Sequence, residues 1–332
     1  MKALVYLGPN QLSWRDEPDP APLPGEVLVR VDAVGICGSD MHAYHGFDER
    51  RPAPLVLGHE AAGRVLTGRM AGQRVTIDPL VTCGHCRFCF EGRSHLCRAR
   101  QIISMPPRPG AFAEMVRIPE ANLVPIADTM PAAHAALAEP MAVAWHAVRN
   151  GVAALPRPLA AARCLVIGGG AIGLAAALVL FHFGAKDVYL AEPNPLRRAT
   201  AAKAAPALRA YAPGEDGQPD EMSVDLVLDA VGADATRAAA SAMAAPGGVI
   251  VHVGLLPGQG GIDIRKLTLQ EITLIGSYCY THVDFLETVK ALAENQFGAL
   301  EWLEERPMAD GARAFDDLDK SKVAAAKIVL TV

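Results

Sequence analysis

The feature that most constrains the fold is a glycine-rich run, Gly168-Gly169-Gly170-Ala171-Ile172-Gly173, which fits the pattern G-x-G-x-x-G. A buried β-like stretch, 164–167, precedes it, and a helix rich in alanine and leucine is predicted over 171–183. A strand, such a loop and a helix begin a βαβ unit that binds a dinucleotide. The first glycine allows the tight turn, the second lets the backbone approach the pyrophosphate, and the third lets helix and strand pack closely. The helix N-terminus offers free N–H groups to the phosphates.

The alternation of strands and helices continues beyond this loop. Strands are predicted at 188–191, 224–229, 249–253 and 272–275, and helices at 195–205 and 234–244. Strands that alternate with helices indicate parallel βαβ units and a doubly wound parallel sheet. The stretch 205–224 is too short for a full strand-plus-helix unit, so we expect one outer helix to be absent.

The first 140 residues have a different pattern. Short β-like runs at 27–31, 63–66, 74–77 and 114–118 are separated by Gly and Pro, which predicts a mostly antiparallel, barrel-like domain. The tail is predicted as helix, helix and strand (284–293, 309–319 and 327–332) and is expected to return to this domain. A chain of 332 residues suits two domains, and we expect them to comprise 1–140 with 281–332, and 141–280.

Composition and charge exclude several classes of protein. With 51% hydrophobic and 20% charged residues, the chain is an ordinary globular protein. Its net charge of −5 argues against nucleic acid as the main partner. The longest apolar stretch, 171–181, is far shorter than the roughly 20 residues of a membrane span. The N-terminus predicts a first strand and not a signal peptide, so we expect a cytoplasmic protein without a membrane partner.

Four of the seven cysteines lie in one short segment. Cys83, Cys86, Cys89 and Cys97 are separated by three, three and eight positions, and two-residue spacers let successive thiolates surround one ion. Four sulfur ligands that leave no open position are typical of structural zinc. An odd cysteine count without a predicted signal peptide disfavours a disulfide framework. An iron–sulfur cluster and unrelated buried thiols are the alternatives.

An acidic residue follows the next predicted strand. Glu192 lies 19 positions beyond Gly173, where a carboxylate can accept both hydroxyls of the adenosine ribose and repel the 2′-phosphate of NADP. NAD is therefore the expected cofactor, with Arg197 at the adenine. A solvated acid at a strand end and an ordinary charged helix face are the alternatives. Val231 and Gly254, just beyond the next two strands, are the remaining expected cofactor contacts.

Two polar motifs stand out in the first domain: Gly35-Ile36-Cys37-Gly38-Ser39-Asp40 and Gly58-His59-Glu60. Thiolate and imidazole are ligands that zinc prefers. Considered alone, Cys37 fits a small buried apolar residue and His59 a histidine in a turn. Together, and beside a dinucleotide-binding fold, they favour a second and open metal site.

These motifs, the four cysteines, Glu139-Pro140 and the glycine loop resemble those of the zinc-containing medium-chain dehydrogenase/reductase (alcohol dehydrogenase) family. They follow that family's order along essentially the whole chain, and the nearest branch is that of polyol and threonine dehydrogenases. The resemblance implies an α/β fold: a GroES-like, mostly-β catalytic domain plus a Rossmann nucleotide-binding domain. It also implies a homodimer or homotetramer that transfers a hydride between a secondary alcohol, such as a polyol or sugar alcohol, and NAD.

The resemblance further implies one structural and one catalytic zinc per chain. Cys37 and His59 would bind the catalytic zinc directly. Glu60 would be a third ligand or lie just behind the metal, and Glu139 would bind the zinc or its water; which glutamate coordinates is left open. Asp40 would orient His59. Zinc lowers the pKa of a bound oxygen, to about 7 for water in favourable sites.

Proton removal is implied to pass through Ser39 and His42, which match the family's relay positions. Imidazole suits this role near neutral pH. Sorbitol-type members carry an Arg-Tyr pair near Cys279-Tyr280, of which only Tyr280 is present here, and an aromatic residue in place of Ala43. We therefore expect a polyol or other secondary alcohol but not sorbitol itself.

Three alternatives to this function remain. The first is an amino-alcohol dehydrogenase acting on a threonine-like substrate, although the sequence identifies no group to receive its ammonium or carboxylate. The second is a non-catalytic relative that binds NAD in a structural or sensing role, and the third is a zinc-free quinone reductase. The intact set of zinc ligands disfavours the last two.

Overall fold

The computed structural model describes residues 1–332, with 18 strands and ten α-helices. The strands are β1 Lys2–Gly8, β2 Gln11–Asp16, β3 Glu26–Gly35, β4 Leu55–Val56, β5 Glu60–Val65, β6 Arg74–Ile77, β7 Leu80–Val81, β8 Gln101–Ile102, β9 Met115–Pro119, β10 Leu123–Pro125, β11 Arg163–Ile167, β12 Asp187–Ala191, β13 Arg209–Tyr211, β14 Val224–Asp229, β15 Ala244–His252, β16 Thr273–Gly276, β17 Leu303–Pro307 and β18 Lys327–Thr331. The helices are α1 Gly38–Tyr44, α2 Arg87–Phe90, α3 Ala132–Ala136, α4 Ala138–Ala154, α5 Ala171–His182, α6 Pro195–Ala204, α7 Asp234–Met243, α8 Ile264–Leu269, α9 His282–Ala293 and α10 Gly311–Asp319.

The N-terminal part is built around the long strand β3. A seven-stranded sheet has the order β10-β6-β5-β3-β18-β17, and β9 also pairs with β3. Burial alternates along the first half of β3, and its last three residues are all buried, because the strand passes from the sheet surface into the core. The C-terminal strand β18 pairs with the end of β3, so the tail lies beside the segment that carries Cys37.

The second sheet has six parallel strands in the order β13-β12-β11-β14-β15-β16. Strands β11 and β14 are almost wholly buried, as expected where helices cover both faces of a parallel sheet. Helix α5 is apolar on nearly all sides and packs against both α4 and the sheet. The Rossmann architecture predicted for this half is confirmed.

The elements predicted from the sequence are present in the structure, which also contains elements that were not predicted. No helix lies between β13 and β14, which confirms the absence of one outer helix. The tail contains an additional strand, β17, that was not predicted; its sequence Leu-Glu-Glu-Arg-Pro lacks an apolar alternation because it forms the edge of the sheet. The short helix α8 was also not predicted. None of the ten α-helices combines the length and the apolar composition that a membrane span requires.

Candidate active site

The four-cysteine lobe is a compact sulfur cluster. The Sγ atoms of Cys97 and Cys83 are 3.5 Å apart, those of Cys86 and Cys89 3.6 Å, and those of Cys83 and Cys89 3.9 Å. A tetrahedral zinc with Zn–S bonds of about 2.3 Å would place its sulfurs about 3.8 Å apart, whereas a disulfide needs about 2.05 Å. The four thiols are free, and their spacing fits one zinc ion with no open position.

A second group of ligand atoms lies at the junction of β3 and α1. The Cys37 sulfur, a His59 ring nitrogen and a Glu60 carboxylate oxygen all lie within 4.8 Å of one another. Asp40 joins the two segments that carry them: its carboxylate accepts the backbone N–H of Cys37 at 3.0 Å and that of Gly58 at 3.3 Å. It also lies 3.6 Å from Nδ1 of His59, which leaves Nε2 as the nitrogen for a metal.

Glu60 is held by a buried cation from the last strand. Lys327 Nζ donates to Oε1 of Glu60 at 2.7 Å and to the carbonyl of Ile36 at 2.8 Å, and both charged side chains are at most 2% exposed. Burial opposes protonation of this lysine, but Glu60 raises its pKa above the usual value. The other oxygen, Oε2, is buried without a partner. A Cβ at Gly35 would lie 2.0 Å from it, so only glycine leaves room for this carboxylate.

Glu139, the other predicted carboxylate, lies beside this cluster but is not a member of it. Burial raises its pKa to about 7; the charge of His59 opposes this shift and that of Glu60 adds to it. Burial, together with the charge of Glu139, raises the pKa of the Tyr280 hydroxyl and that of the Cys279 thiol. The Tyr280 hydroxyl is buried without a hydrogen-bond partner. Glu139 is therefore a protonatable neighbour of the three candidate ligands.

The predicted relay residues lie on helix α1. Ser39 accepts a bond at its hydroxyl from Nη2 of Arg51 at 3.3 Å, and the same guanidinium donates to the Ser39 carbonyl at 3.0 Å. Because arginine can only donate, the Ser39 proton is free to point elsewhere. His42 is half-buried; burial lowers its pKa, and the charge of Asp48 opposes that shift.

A cleft of about 630 Å³ separates the two halves of the molecule. Cys37, His42 and Lys327 line it on the side of the seven-stranded sheet, and Gly170 and Arg197 line it on the side of the nucleotide-binding sheet. The predicted metal centre and the glycine loop therefore face the same space. A small molecule at Cys37 and a dinucleotide on the loop could meet there.

The glycine loop has the close contacts that its motif requires. A Cβ at Gly173 would lie 1.7 Å from the carbonyl oxygen of Gly168, so the third glycine permits the approach of helix to strand. A Cβ at Gly170 would meet nothing within 4 Å. Gly170 therefore leaves open space at the N-terminus of α5. The helix begins with Ala171 and Ile172, whose N–H groups are free to bind phosphates there.

The other expected cofactor residues surround this loop. Glu192 is buried, and its two carboxylate oxygens accept the backbone N–H groups of Gly169 at 2.7 Å and Asn194 at 2.8 Å. Arg197 lines the cleft, and its Nε is buried without a partner. Val231 and Gly254 contact each other, since a Cβ at Gly254 would lie 2.0 Å from the Val231 backbone.

Two polar residues of the site were not predicted from the sequence. Arg51 is 3% exposed and Lys327 is 2% exposed. The only signal for Lys327 is a lone charge in an otherwise apolar strand, and Arg51 is one of two adjacent arginines. Neither pattern identifies the partner: Lys327 meets Glu60 from 267 positions away, and Arg51 meets Ser39 from 12 positions away, beyond the end of the helix that carries Ser39.

Comparison with known proteins agrees with this geometry. The alcohol dehydrogenase GroES-like domain matches residues 23–128, and the zinc-binding dehydrogenase domain matches residues 171–294. The L-galactonate-5-dehydrogenase of Escherichia coli is 32% identical over 95% of this chain and 94% of its own. The chain belongs to the zinc-binding alcohol dehydrogenase family. It is an oxidoreductase of the NAD(P)-linked, zinc-dependent class, as the sequence predicted.

Two further similarities extend over the whole molecule. An L-threonine 3-dehydrogenase of Xanthomonas oryzae pv. oryzae is 32% identical over 100% of this chain and 99% of its own. An Escherichia coli alcohol dehydrogenase solved with NADH superposes with a TM-score of 0.89 at 26% identity, over 100% of this chain and 99% of the other. The GroES-like and Rossmann fold is thereby confirmed.

Proposed function

We propose that this protein oxidises a secondary alcohol of the polyol class with NAD, or reduces the corresponding ketone. The observation that carries the proposal is the shared cleft: Cys37 of the candidate metal centre and Gly170 of the dinucleotide loop line the same space. A hydride acceptor and an activated hydroxyl must meet in one site for such a reaction.

The metal roles divide between the two clusters. We assign structural zinc to the four cysteines and catalytic zinc to Cys37, His59 and Glu60, with Glu139 beside them. A zinc ion in an open site acts as a Lewis acid that makes a hydroxyl easier to deprotonate. Asp40 and Lys327 hold the ligand side chains in place, and the buried surroundings exclude water from them.

Proton transfer is assigned to helix α1. Arg51 occupies an acceptor position of the Ser39 hydroxyl, so the Ser39 proton can be passed on toward His42. The pKa of His42 is lowered by burial, which keeps the imidazole neutral and able to accept a proton near pH 7.

We propose NAD in preference to NADP because Glu192 lies at the glycine loop, fixed by two backbone amides. A second negative charge close by would cost on the order of a few kcal/mol, or about 100-fold in affinity. Arg197 is the competing influence, since an arginine can receive the 2′-phosphate. Glu192→Ala should lower kcat/KM with NAD and raise the NADP/NAD ratio, and an unchanged ratio contradicts the assignment.

The substrate class is tested with a panel of polyols, hydroxy acids, secondary alcohols and L-threonine, followed by NADH absorbance and zinc analysis. We expect about two zinc ions per chain and turnover of polyols. The relative that acts on L-threonine supports an amino alcohol as the second candidate. Turnover of L-threonine alone would favour that candidate, and no turnover of any member would contradict the proposed function.

We also propose a homo-oligomer that pairs through β16. This strand is the outer edge of the six-stranded sheet, and Leu274 on it is 42% exposed, with Leu269 close by in sequence 66% exposed. An apolar open edge tends to pair with a second copy. Sedimentation at micromolar concentration should show a dimer or tetramer, and a clean monomer would contradict this assignment.

A further inference from the structure

A second histidine at the end of helix α1 faces the cleft. His45 directly follows α1 with a helical backbone conformation, three positions after His42, and both residues line the cleft together with Cys37. Residues three positions apart on a helix lie on one face, with Cβ atoms about 5–6 Å apart. One water molecule can bridge two imidazoles at that separation. His45 is therefore placed to receive a proton from the end of the predicted relay.

The ring of His45 is oriented by a carboxylate from the far end of the chain. Nε2 of His45 lies 2.7 Å from Oδ1 of Asp319, the last residue of α10, which also lines the cleft. Because an ionised carboxylate only accepts hydrogen bonds, Nε2 carries the N–H and Nδ1 holds the lone pair of the neutral ring. The contact thus selects the tautomer in which Nδ1 can take up a proton.

Exposure to solvent increases from the candidate metal centre toward this pair. The side chain of His59 is 8% exposed, whereas that of His45 is 27% and that of Asp319 is 42% exposed. His42 lies between them, and burial lowers its pKa, so a proton that reaches His42 is readily passed on. The pair of His45 and Asp319 thus connects the half-buried relay to bulk water.

The other charged groups around His45 leave Asp319 free for this role. Four cations near α1 or in the cleft are each bound to a carboxylate: Arg50 and Arg51 to Asp48, Lys320 to Asp316, and Lys327 to Glu60. Arg197 lines the opposite side of the cleft without a carboxylate partner. Asp319 forms its ion pair with His45 alone, so its charge can stabilise the imidazolium that forms when His45 accepts a proton.

We propose that His45, oriented by Asp319, is the outer proton acceptor of the relay: it takes the substrate proton from His42 and releases it to water at the mouth of the cleft. This inference rests on the proposed alcohol oxidation and adds the exit of the proton. Cleavage of the C–H bond sends a hydride with its electron pair to NAD, and the O–H proton passes through Ser39, His42 and His45 to water. The products are the ketone, NADH and one released proton, and both imidazoles end neutral as they began.

The direct test compares the release of the proton with the formation of NADH. Zinc-loaded enzyme, NAD and an alcohol that it oxidises are mixed in a stopped-flow instrument, in weak buffer with a pH indicator dye, and NADH absorbance is followed beside the dye. In the wild type, the proton should appear no later than NADH. In His45→Gln, proton release should lag behind NADH and be at least about tenfold slower, because water replaces a positioned acceptor only in part.

Further variants assign the lag to the pair. Asp319→Asn keeps the shape of the side chain but removes the charge that stabilises a protonated ring, so it should give a smaller lag of the same kind. The matched control is Asp316→Asn, which removes an equal charge from the same helix where that charge is paired with Lys320, and it should give no lag. Added imidazole should restore prompt release in His45→Gln, because it supplies the missing acceptor.

A purely structural role of the pair predicts different results. Loss of a contact between α1 and α10 would lower stability without separating the proton from NADH and without creating a response to imidazole. Prompt proton release in both His45→Gln and Asp319→Asn, or an equal lag in Asp316→Asn, overturns the inference while the dehydrogenase function stands. If the wild type forms no NADH with any alcohol, the proposed function fails and this inference with it. Should His45→Gln not fold, Asp319→Asn decides the comparison.

Discussion

The two candidate zinc sites are built in opposite ways. The four-cysteine lobe takes all of its ligands from one segment, residues 83–97, and three of its four cysteines are partly exposed. The other site takes Cys37 from the end of β3 and His59 and Glu60 from the start of β5, and it depends on Lys327 from the last strand. The ligands of the first site come from one short segment, whereas those of the second come from separate strands that meet only in the folded protein.

This difference supports the proposed assignment of a structural role to the first site and a catalytic role to the second. Four thiolates complete a tetrahedron and leave no position for a substrate. At the Cys37 site, Cys37 lines a cleft, Lys327 donates to the Glu60 carboxylate, and the Asp40 carboxylate lies 3.6 Å from His59. Such supporting contacts orient ligands without closing the site.

The largest expected effect separates activity from folding. His59→Ala removes a ligand of the open site, so kcat/KM should fall by at least about a thousandfold, equivalent to several kcal/mol of transition-state stabilisation. The fold should remain, because the lobe is untouched. Steady-state kinetics and circular dichroism test this, and a variant that retains a tenth of the activity contradicts the assignment of His59.

At the four-cysteine lobe we expect a substitution to reduce the stability of the fold. Cys89→Ser should release one zinc and cost on the order of several kcal/mol of unfolding free energy, because structural metal binding is coupled to folding. Zinc analysis and denaturant unfolding measure both. Cys164→Ser is the matched control, since this buried thiol belongs to neither cluster and its replacement should keep both ions. A Cys89→Ser protein with full zinc content and unchanged stability would refute the structural role.

A smaller effect is expected from Lys327→Met, which tests whether the open site depends on its buried ion pair. Removing the lysine leaves the Glu60 carboxylate buried and unpaired, at a cost of roughly 3–5 kcal/mol in zinc-free protein. Zinc should recover part of that loss, because Glu60 can then pair with the metal. Unfolding curves with and without zinc measure the difference; the same loss in both states would argue against any link between Lys327 and the metal.

The smallest effect concerns the relay. Arg51→Lys keeps a positive charge but cannot reproduce the planar set of bonds to Ser39 and to the carbonyl of Ser104, so kcat should fall about tenfold, near the energy of one hydrogen bond to a charged group. In a Ser39→Ala background the same change should add little. Fully additive effects on kcat would show that Arg51 does not act through Ser39.

Much of this organisation could be predicted from local sequence. The glycine loop, the strand before it and the helix after it lie at the predicted positions, since hydrophobic pattern and turn chemistry are local. The cysteine spacing predicted a compact cluster for the same reason. The Lys327 to Glu60 pair joins residues 267 positions apart, and the Arg100 to Tyr278 contact joins residues 178 apart. No spacing rule connects such residues, because the two chain halves meet only after folding.

Stepwise removal of zinc tests the division between the two sites most directly. Zinc content, NAD-linked turnover and circular dichroism are followed together while a chelator is added to the two-zinc enzyme. We predict that the ion facing the cleft leaves first, with complete loss of turnover and retention of the fold, and that the second ion leaves later together with loss of structure. Turnover that survives release of the first ion, or loss of activity and structure in a single step with both ions, would contradict the account.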